Sequence, residues 1–389
     1  MPSEATTASE FAIVGGGVAG LALAIAFQQL GKDFRLFEQS QELKGIGAGF
    51  GLAANAMQAL DLLQLKTEVE KLGYYVKSYP ILDEQGRVLL APDTQAISQQ
   101  YQQQNFAIHR ADLHLFLLSK IQKEHLQLGK KALRLQKQSD GINLSFADGS
   151  QHSCRYLILA DGIKSPLRQQ LLPKASPRYA GYTCWRATIN QRELSLPHGS
   201  ETWGKAGRFG MTPLTHDRIY WYACINAPAQ SSKHRNYSTQ DLYRQFQAYH
   251  SPIPEIIAQT QDQELIWSDI MDIKPLRHLA YDNILLIGDA GHATTPNMGQ
   301  GACQALEDVA VLQQVLTKGY AIRQAFIIFE KKRLARTRYI TNTSRYIGAI
   351  AQWEQPGLIA LRNQLMRWMP AEVAQSPLNK LLAVDFMKI

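Results

Sequence analysis

The chain is poor in cysteine. Its 389 residues hold four, Cys154, Cys184, Cys224 and Cys303, far apart and with no C-x-x-C pair. That excludes a disulfide framework and a cysteine zinc site, leaves no metal site to expect, and suits a reducing cytoplasm. An uninterrupted apolar run is also missing. The longest, Phe11 to Phe27, is broken by four glycines, and Glu4 and Glu10 stand before it without Lys or Arg. This is the wrong flank for an export signal, and the run reads as strand, turn and helix rather than as a membrane span. Internal repeats are absent. Charged residues make up 19% and hydrophobic residues 45%, the composition of a soluble globular protein rather than a disordered one. The excess of basic residues, 41 against 33 acidic for a net +8, is too diffuse for a nucleic-acid partner but suits a polyanionic small molecule. The densest basic stretch, Lys331-Lys332-Arg333 with Arg336, Arg338 and Arg345, reads as a solvated helix face.

What is present is glycine in specific places. The chain is too long for one ordinary core, so two domains are expected. Phe11–Val14 reads as a short buried parallel strand, Val18 to Leu30 as a helix closed by Gly31, and Phe34–Phe37 as a second strand, forming one βαβ unit. Glycines 45, 47, 49 and 51 alternate, and a helix is expected from Asn55 to about Lys71. A glutamine-rich loop follows around residues 95–104, then a helix from Asp112 to about Glu124. Tyr156–Ala160 and Asn283–Ile287 are further buried strands, and Ala302 to Leu316 is helical. Between them, from Arg178 to about Ile273, aromatic and alternating residues read as an antiparallel sheet. The fold is therefore α/β, a Rossmann-like domain interrupted in sequence by a β-rich domain, with helices at the C-terminus.

Gly15, Gly17 and Gly20 sit where a strand turns into a helix, with Val18 and Ala19 opening that helix. There the chain needs positive φ, close backbone approach to a pyrophosphate and tight helix–strand packing. The helix N-terminus offers free N–H groups to phosphates. Glu38 ends the second strand, eighteen residues after Gly20, placed to accept hydrogen bonds from an adenosine ribose. NAD and FAD share this fingerprint, so it does not choose between them.

Two later segments bear on the choice: Asp161-Gly162-Ile163-Lys164-Ser165-Pro166-Leu167-Arg168, and Gly288-Asp289-Ala290-Gly291-His292 running on to Pro296, Gly299, Gln300 and Gly301. In this order with the first fingerprint, they resemble the single-component, class A flavoprotein monooxygenases over roughly residues 10–350. The resemblance implies a para-hydroxybenzoate hydroxylase-like fold: a discontinuous FAD-binding domain (1–75, 104–175 and 276–345), a substrate domain (76–103 and 176–275), and a helical segment from 346 to 389. It implies that Asp289 binds the ribityl chain of non-covalent FAD, and that the helix after Gly299, Gln300, Gly301 and Ala302 points its N-terminus at the flavin's pyrimidine edge. Asp161 would support FAD and serve NAD(P)H, a transient co-substrate. Arg110 would reach the FAD from a helix start, with a surface ion pair as the competing account. Gly47 and Gly49 would run beside the flavin, where bare backbone leaves the ring free to move. Gln39 stands where many relatives carry Arg. His292 reads as a loop brace or as a proton donor.

On the substrate side, Arg208 and Pro213 followed by Tyr220 are spaced as in the FAD-dependent urate hydroxylase-like members, whose Arg and Tyr line the active site. Arg208, Tyr220 and Pro296 are the catalytic candidates, Arg208 as a cation forking onto substrate or as a mere strand residue. Trp185 and Arg186 are expected at the domain interface. The implied reaction is hydroxylation of a small aromatic or heterocyclic molecule with NAD(P)H and O2 through a flavin C4a-hydroperoxide. Alkene epoxidation, halogenation and a non-catalytic flavin-binding module are the rivals. No Trp-x-Trp-x-Ile-Pro segment, the halogenase mark, occurs. Oligomeric state stays open.

Overall fold

The computed structural model describes residues 7–43, 49–76, 78–91, 106–190, 194, 196 and 198–382. Gly45, Gly47 and the glutamine-rich stretch 95–104 lie outside the described residues. The strand Thr7–Val14 is the axis of the larger sheet, and its residues 11–14 are at most 4% exposed. An all-apolar strand of this kind is stable only when covered on both faces, which a parallel sheet flanked by helices provides. It pairs in parallel with Gln151–Leu159 on one side and Phe34–Phe37 on the other. Ile284–Leu286 adds beside Gln151–Leu159, again in parallel. A meander of Ala132–Gln138 and Gly141–Phe146 extends the sheet antiparallel.

Register does the functional work here. Val14 pairs with Leu159 and Phe37, and Leu159 pairs with Leu286. The carboxyl ends of four strands therefore stop at one edge, and the segments starting at Gly15, Glu38, Asp161 and Gly288 leave that edge side by side. Ligands of open α/β sheets bind at such an edge.

The second sheet has seven strands in the order Ile266–Ile273, Pro177–Asn190, Arg218–Asn226, Gly207–Leu214, Ser200–Gly204, Ile81–Asp83 and Val88–Leu90. It is antiparallel except where Ser200–Gly204 meets Ile81–Asp83. Side chains alternate across it. Trp185, Phe209, Trp221 and Ala223 face the helices Thr239–Phe246 and Ile253–Gln259 and form a core with Leu242, Phe246 and Ile256. Tyr182, Cys184, Arg186, Arg208, Tyr220, Tyr222 and Cys224 occupy the other face. The expectation that Trp185 and Arg186 share an interface is corrected by this period of two. Trp185 is fully buried under the helices, stacked on Tyr237 at 5.4 Å, while Arg186 points to the opposite side and donates to Ser268.

Two further differences have local causes. The single helix expected from Asn55 to Lys71 is broken, because Gln64 takes a left-handed conformation at φ 60° between Ala54–Leu62 and Lys66–Val69. The helix Ile322–Ala351 runs through residue 346 without interruption. None of the helices of the described residues is long and apolar enough to cross a membrane.

Candidate active site

Gly15 has φ +110°, and a Cβ there would lie 2.4 Å from the Ala160 carbonyl oxygen, so only glycine fits. Gly20 lets the helix Val18–Gln29 sit on that loop: its Cβ would overlap Gly15 O at 1.8 Å. Val18 and Ala19 follow Gly17 as the helix opens, and a Cβ at Gly17 would meet nothing within 4 Å. The helix end has neither a side-chain cap nor an acid in its first turn, so its N–H groups and positive pole are available to an anion. Glu38 is 8% exposed and accepts from the Gly16 N–H at 2.7 Å and the Ser40 N–H at 2.8 Å. It fixes the loop as well as offering its remaining lone pairs to a ribose. His114 bonds the Gly16 carbonyl at 2.7 Å from the neighbouring helix. Sequence reasoning gave His114 no role.

The second and third motifs are tied together by one residue. Arg168, fully buried and without a carboxylate hydrogen-bond partner among the described residues, donates to the carbonyls of Ala175 at 3.0 Å, Ala290 at 3.1 Å and Ile163. Burying a guanidinium is costly unless its donors are satisfied, and here main-chain carbonyls of both motifs satisfy them. Ser165 caps the helix Pro166–Leu171 and donates to Asp161 at 2.7 Å. The other Asp161 oxygen, Oδ1, is buried with no hydrogen-bond partner among the described residues. Burial pushes the Asp161 carboxyl up to about 6.

Gly288 has φ +55° and packs against Ala19, whose Cβ would be 2.9 Å from an added one. Its N–H donates to Asp308 at 2.8 Å. Asp289 is open to water at the sheet edge. The protein atoms crowding its carboxyl raise its pKa even though the residue keeps contact with water, and the charges of His292, Arg110 and Arg168 oppose the rise. Arg110, exposed at the start of the helix Arg110–Ser119, adds one of these charges. His292 is 6% exposed and bonds Asp308 at 2.6 Å, which makes it a loop brace.

Pro296 is exposed and begins a short turn, Gly299 ends it at φ +63°, and Gln300 precedes the helix Gly301–Thr317. Cβ atoms at Gly299 and Gly301 would meet nothing within 4 Å. Here too the helix end lacks a side-chain cap and first-turn acids, and Ala302 is half-buried beside it. Beneath lies a buried network. Arg333 donates to Asp308 at 2.7 Å and to Glu307, Arg336 donates to Glu307 at 2.6 Å, and Asn55 reaches Gln300 at 2.9 Å. The basic stretch is therefore not a solvated face throughout: Arg333 is 1% exposed, and Arg345 pairs with Asp272 at 2.9 Å.

These features fit an extended dinucleotide. Two uncapped helix N-termini, open space at Gly17, Gly162, Gly299 and Gly301, and the orphaned Asp161 Oδ1 border one sheet edge. Gly15, Gly17, Glu38, Asp161, Asp289 and the Gly299–Ala302 segment are the residues that would hold FAD there.

The tyrosine-bearing face of the second sheet lies against this edge. A Cβ on Gly49 would fall 2.7 Å from Tyr220 Cβ, so the bare backbone of Gly49 makes room for that ring. Tyr220 is 9% exposed, packed with Val76, Ala107 and Leu214, and burial keeps its phenol neutral by raising its pKa. Arg208 is 2% exposed. Its Nε donates to Gln352 at 2.7 Å, and Nη1 donates to Asn297 at 2.8 Å and Glu201 at 3.3 Å. Of the two expectations for Arg208, a fork onto substrate or a mere strand residue, neither describes a side chain two of whose nitrogens are already taken by protein acceptors. Asn297, between Pro296 and Gly299, is the hub that sequence reasoning missed. It accepts from Arg208 and Tyr182 and donates to Thr295 at 2.8 Å and the Ser344 carbonyl at 2.7 Å. Its place inside the third motif was the available signal.

A family model described as an FAD binding domain matches residues 8–342. The chain is 35% identical over 361 residues to the aurachin C monooxygenase/isomerase of Stigmatella aurantiaca, covering 92% of this chain and 94% of that protein. It is 30% identical over 364 residues to the 2-heptyl-3-hydroxy-4(1H)-quinolone synthase of Pseudomonas aeruginosa, with 92% and 94% covered. Among solved structures, Klebsiella pneumoniae HpxO complexed with FAD and uric acid matches with a TM-score of 0.88 at 27% identity, over 96% of each chain.

Proposed function

The chain belongs to the class A flavoprotein monooxygenases, with FAD as its cofactor, and on that premise we propose that it uses NAD(P)H and O2 to hydroxylate a flat, bicyclic nitrogen heterocycle. FAD, when bound, supplies the redox and oxygen-activating chemistry. The chain's own residues bind, orient and exclude water. The observation that carries the reading is the contact between the two sheets' functional edges: Arg208 bonds Asn297 inside the third motif, and Tyr220 lies on Gly49. A flat molecule lying over the tyrosine-bearing face would meet the phenols of Tyr220, Tyr222, Tyr182 and Tyr79. Burial raises the pKa of each, so they act as neutral hydrogen-bonding groups and apolar ring faces. Arg208 fixes Asn297, Gln352 and Glu201 around this space as a positioning residue. The heterocycle class is supported by the quinolone and uric acid named for the relatives.

The test is NADH and NADPH oxidation by the FAD-loaded enzyme against quinolones, uric acid and hydroxybenzoates, with products weighed by mass spectrometry. At least one heterocycle should accelerate oxidation and gain one oxygen atom. Uniform oxidation rates across the panel, with no oxygenated product, would overturn the reading.

A further inference from the structure

Cys184 and Cys224 are directly opposed on the antiparallel strands Pro177–Asn190 and Arg218–Asn226. Residues paired this way have Cα atoms about 4.5–5.5 Å apart, within the roughly 4.4–6.8 Å that a disulfide bridges. Both side chains point to the tyrosine-bearing face, where the Cys184 thiol donates to the Trp185 carbonyl at 3.4 Å. Two cations adjoin them: Arg208 is opposite Cys224 on the next strand, and Arg186 lies two residues from Cys184. The pair is 1% exposed, and the neighbouring cross-strand pair Arg186 and Tyr222 is partly buried, which puts the nearest solvent-touching surface one pair away from the dithiol.

We propose that Cys184 and Cys224 form a peroxide-reactive dithiol beside the substrate space, oxidised reversibly to a cross-strand disulfide. Burial pushes the Cys184 thiol up, but the facing Cys224 thiol and the charges of Arg186 and Arg208 outweigh it and bring the thiol down to about 7. Cys224 is raised, by the facing Cys184 first and then by burial, and burial lifts Cys154 and Cys303 to about 12. Cys184 is thus the most acidic thiol of the four and the nucleophile once its proton leaves. Its sulfur attacks one oxygen of hydrogen peroxide, and the other leaves as hydroxide, taking up a proton to become water. The Cys184 sulfenic acid is then attacked by the Cys224 sulfur, which loses its proton as the second water departs and the S–S bond forms. Two thiols lose two electrons and peroxide gains them. The product withdraws an anion from between Arg208 and Arg186. The proposal rests on the function above only for its internal peroxide source, turnover in which reduced enzyme meets O2 without a productively placed substrate.

The test adds hydrogen peroxide to the FAD-loaded enzyme. Titratable thiols in the subsequently denatured protein should fall from four to two, with a Cys184–Cys224 linked peptide that dithiothreitol separates. Substrate-stimulated NAD(P)H oxidation should fall several-fold and return with dithiothreitol. In C224S, dimedone should trap a sulfenic acid on Cys184. Retention of both thiols, prior oxidation of Cys154 or Cys303, Cys184 sulfinate without a cross-link, or a cross-link without activity loss would each overturn the proposal. The mass readings need no turnover, so they stand apart from a failure of the hydroxylase assignment.

Discussion

Asp308 should matter more than any single cofactor contact, although it touches no ligand. Its carboxylate accepts from the Gly288 N–H at 2.8 Å, His292 at 2.6 Å and Arg333 at 2.7 Å, all buried. Around it two buried acids, Glu307 and Asp308, balance two cations, Arg333 and Arg336. Asp308→Ala strands one positive charge and two donors in the interior. Breaking a buried pair from one side typically costs about 3–5 kcal/mol. With an m-value of about 3 kcal/mol/M, the urea midpoint should drop by roughly 1–1.7 M. Adding Arg333→Met restores neutrality, because Arg336 still holds Glu307 at 2.6 Å. The double variant should therefore recover on the order of 1–3 kcal/mol relative to the sum of the singles. Losing the Gly288 anchor should also release Asp289 and weaken FAD binding by at least about tenfold, one charge-assisted hydrogen bond being worth about 1.5–3 kcal/mol. Urea titrations of the four proteins and FAD fluorescence quenching measure both effects. A midpoint shift below about 0.3 M, about 1 kcal/mol at that m-value, or strict additivity in the cycle would refute the charge-balance argument.

Three other expectations follow from the same geometry. Arg208→Lys keeps the charge but cannot reproduce the bonds to Gln352, Asn297 and Glu201, so the ratio of oxygenated product to NAD(P)H consumed should fall while FAD content holds; an unchanged ratio removes Arg208 from the site. Gly49→Ala places a Cβ 2.7 Å from Tyr220 and should cost about 1–3 kcal/mol in thermal unfolding, whereas a neutral result would mean that strand and ring are not in contact. His152, buried against Ser9 and Phe37, has its pKa lowered to about 4, by burial first and then by Arg35. The unfolded chain protonates it near pH 6.5 and the folded one does not, so stability is full above about pH 6.5 and falls as pH drops toward 4. The loss is on the order of 2 kcal/mol after discounting for solvent screening, and His152→Gln should flatten that limb of the stability-versus-pH curve.

Much of the fold was legible because its signals are local. Phe11–Val14 is apolar throughout, and Gly15, Gly288 and Gly299 occupy positive φ, so short stretches of chain dictate strand, turn and helix start without outside help. The order of the three motifs along the chain then identified the FAD-binding architecture before any contact was known. Alternation likewise announced the second sheet, but not which face met what, and so Trp185 and Arg186 were placed together when consecutive strand residues must point apart.

What only the tertiary structure decided are partnerships between distant residues. Arg333 looked like part of a solvated basic face, since its own helix shows nothing of Glu307 and Asp308 on another. Arg168 reaches Ala290 across 122 positions, and Arg208 reaches Gln352 across 144. Asn297 becomes a hub only once the sheet bearing Arg208 and Tyr182 docks on its turn. Backbone conformation is set by a residue and its neighbours, so a sequence displays it. The partner of a buried donor is set by how separate elements pack, and no contiguous stretch of this chain contains that information.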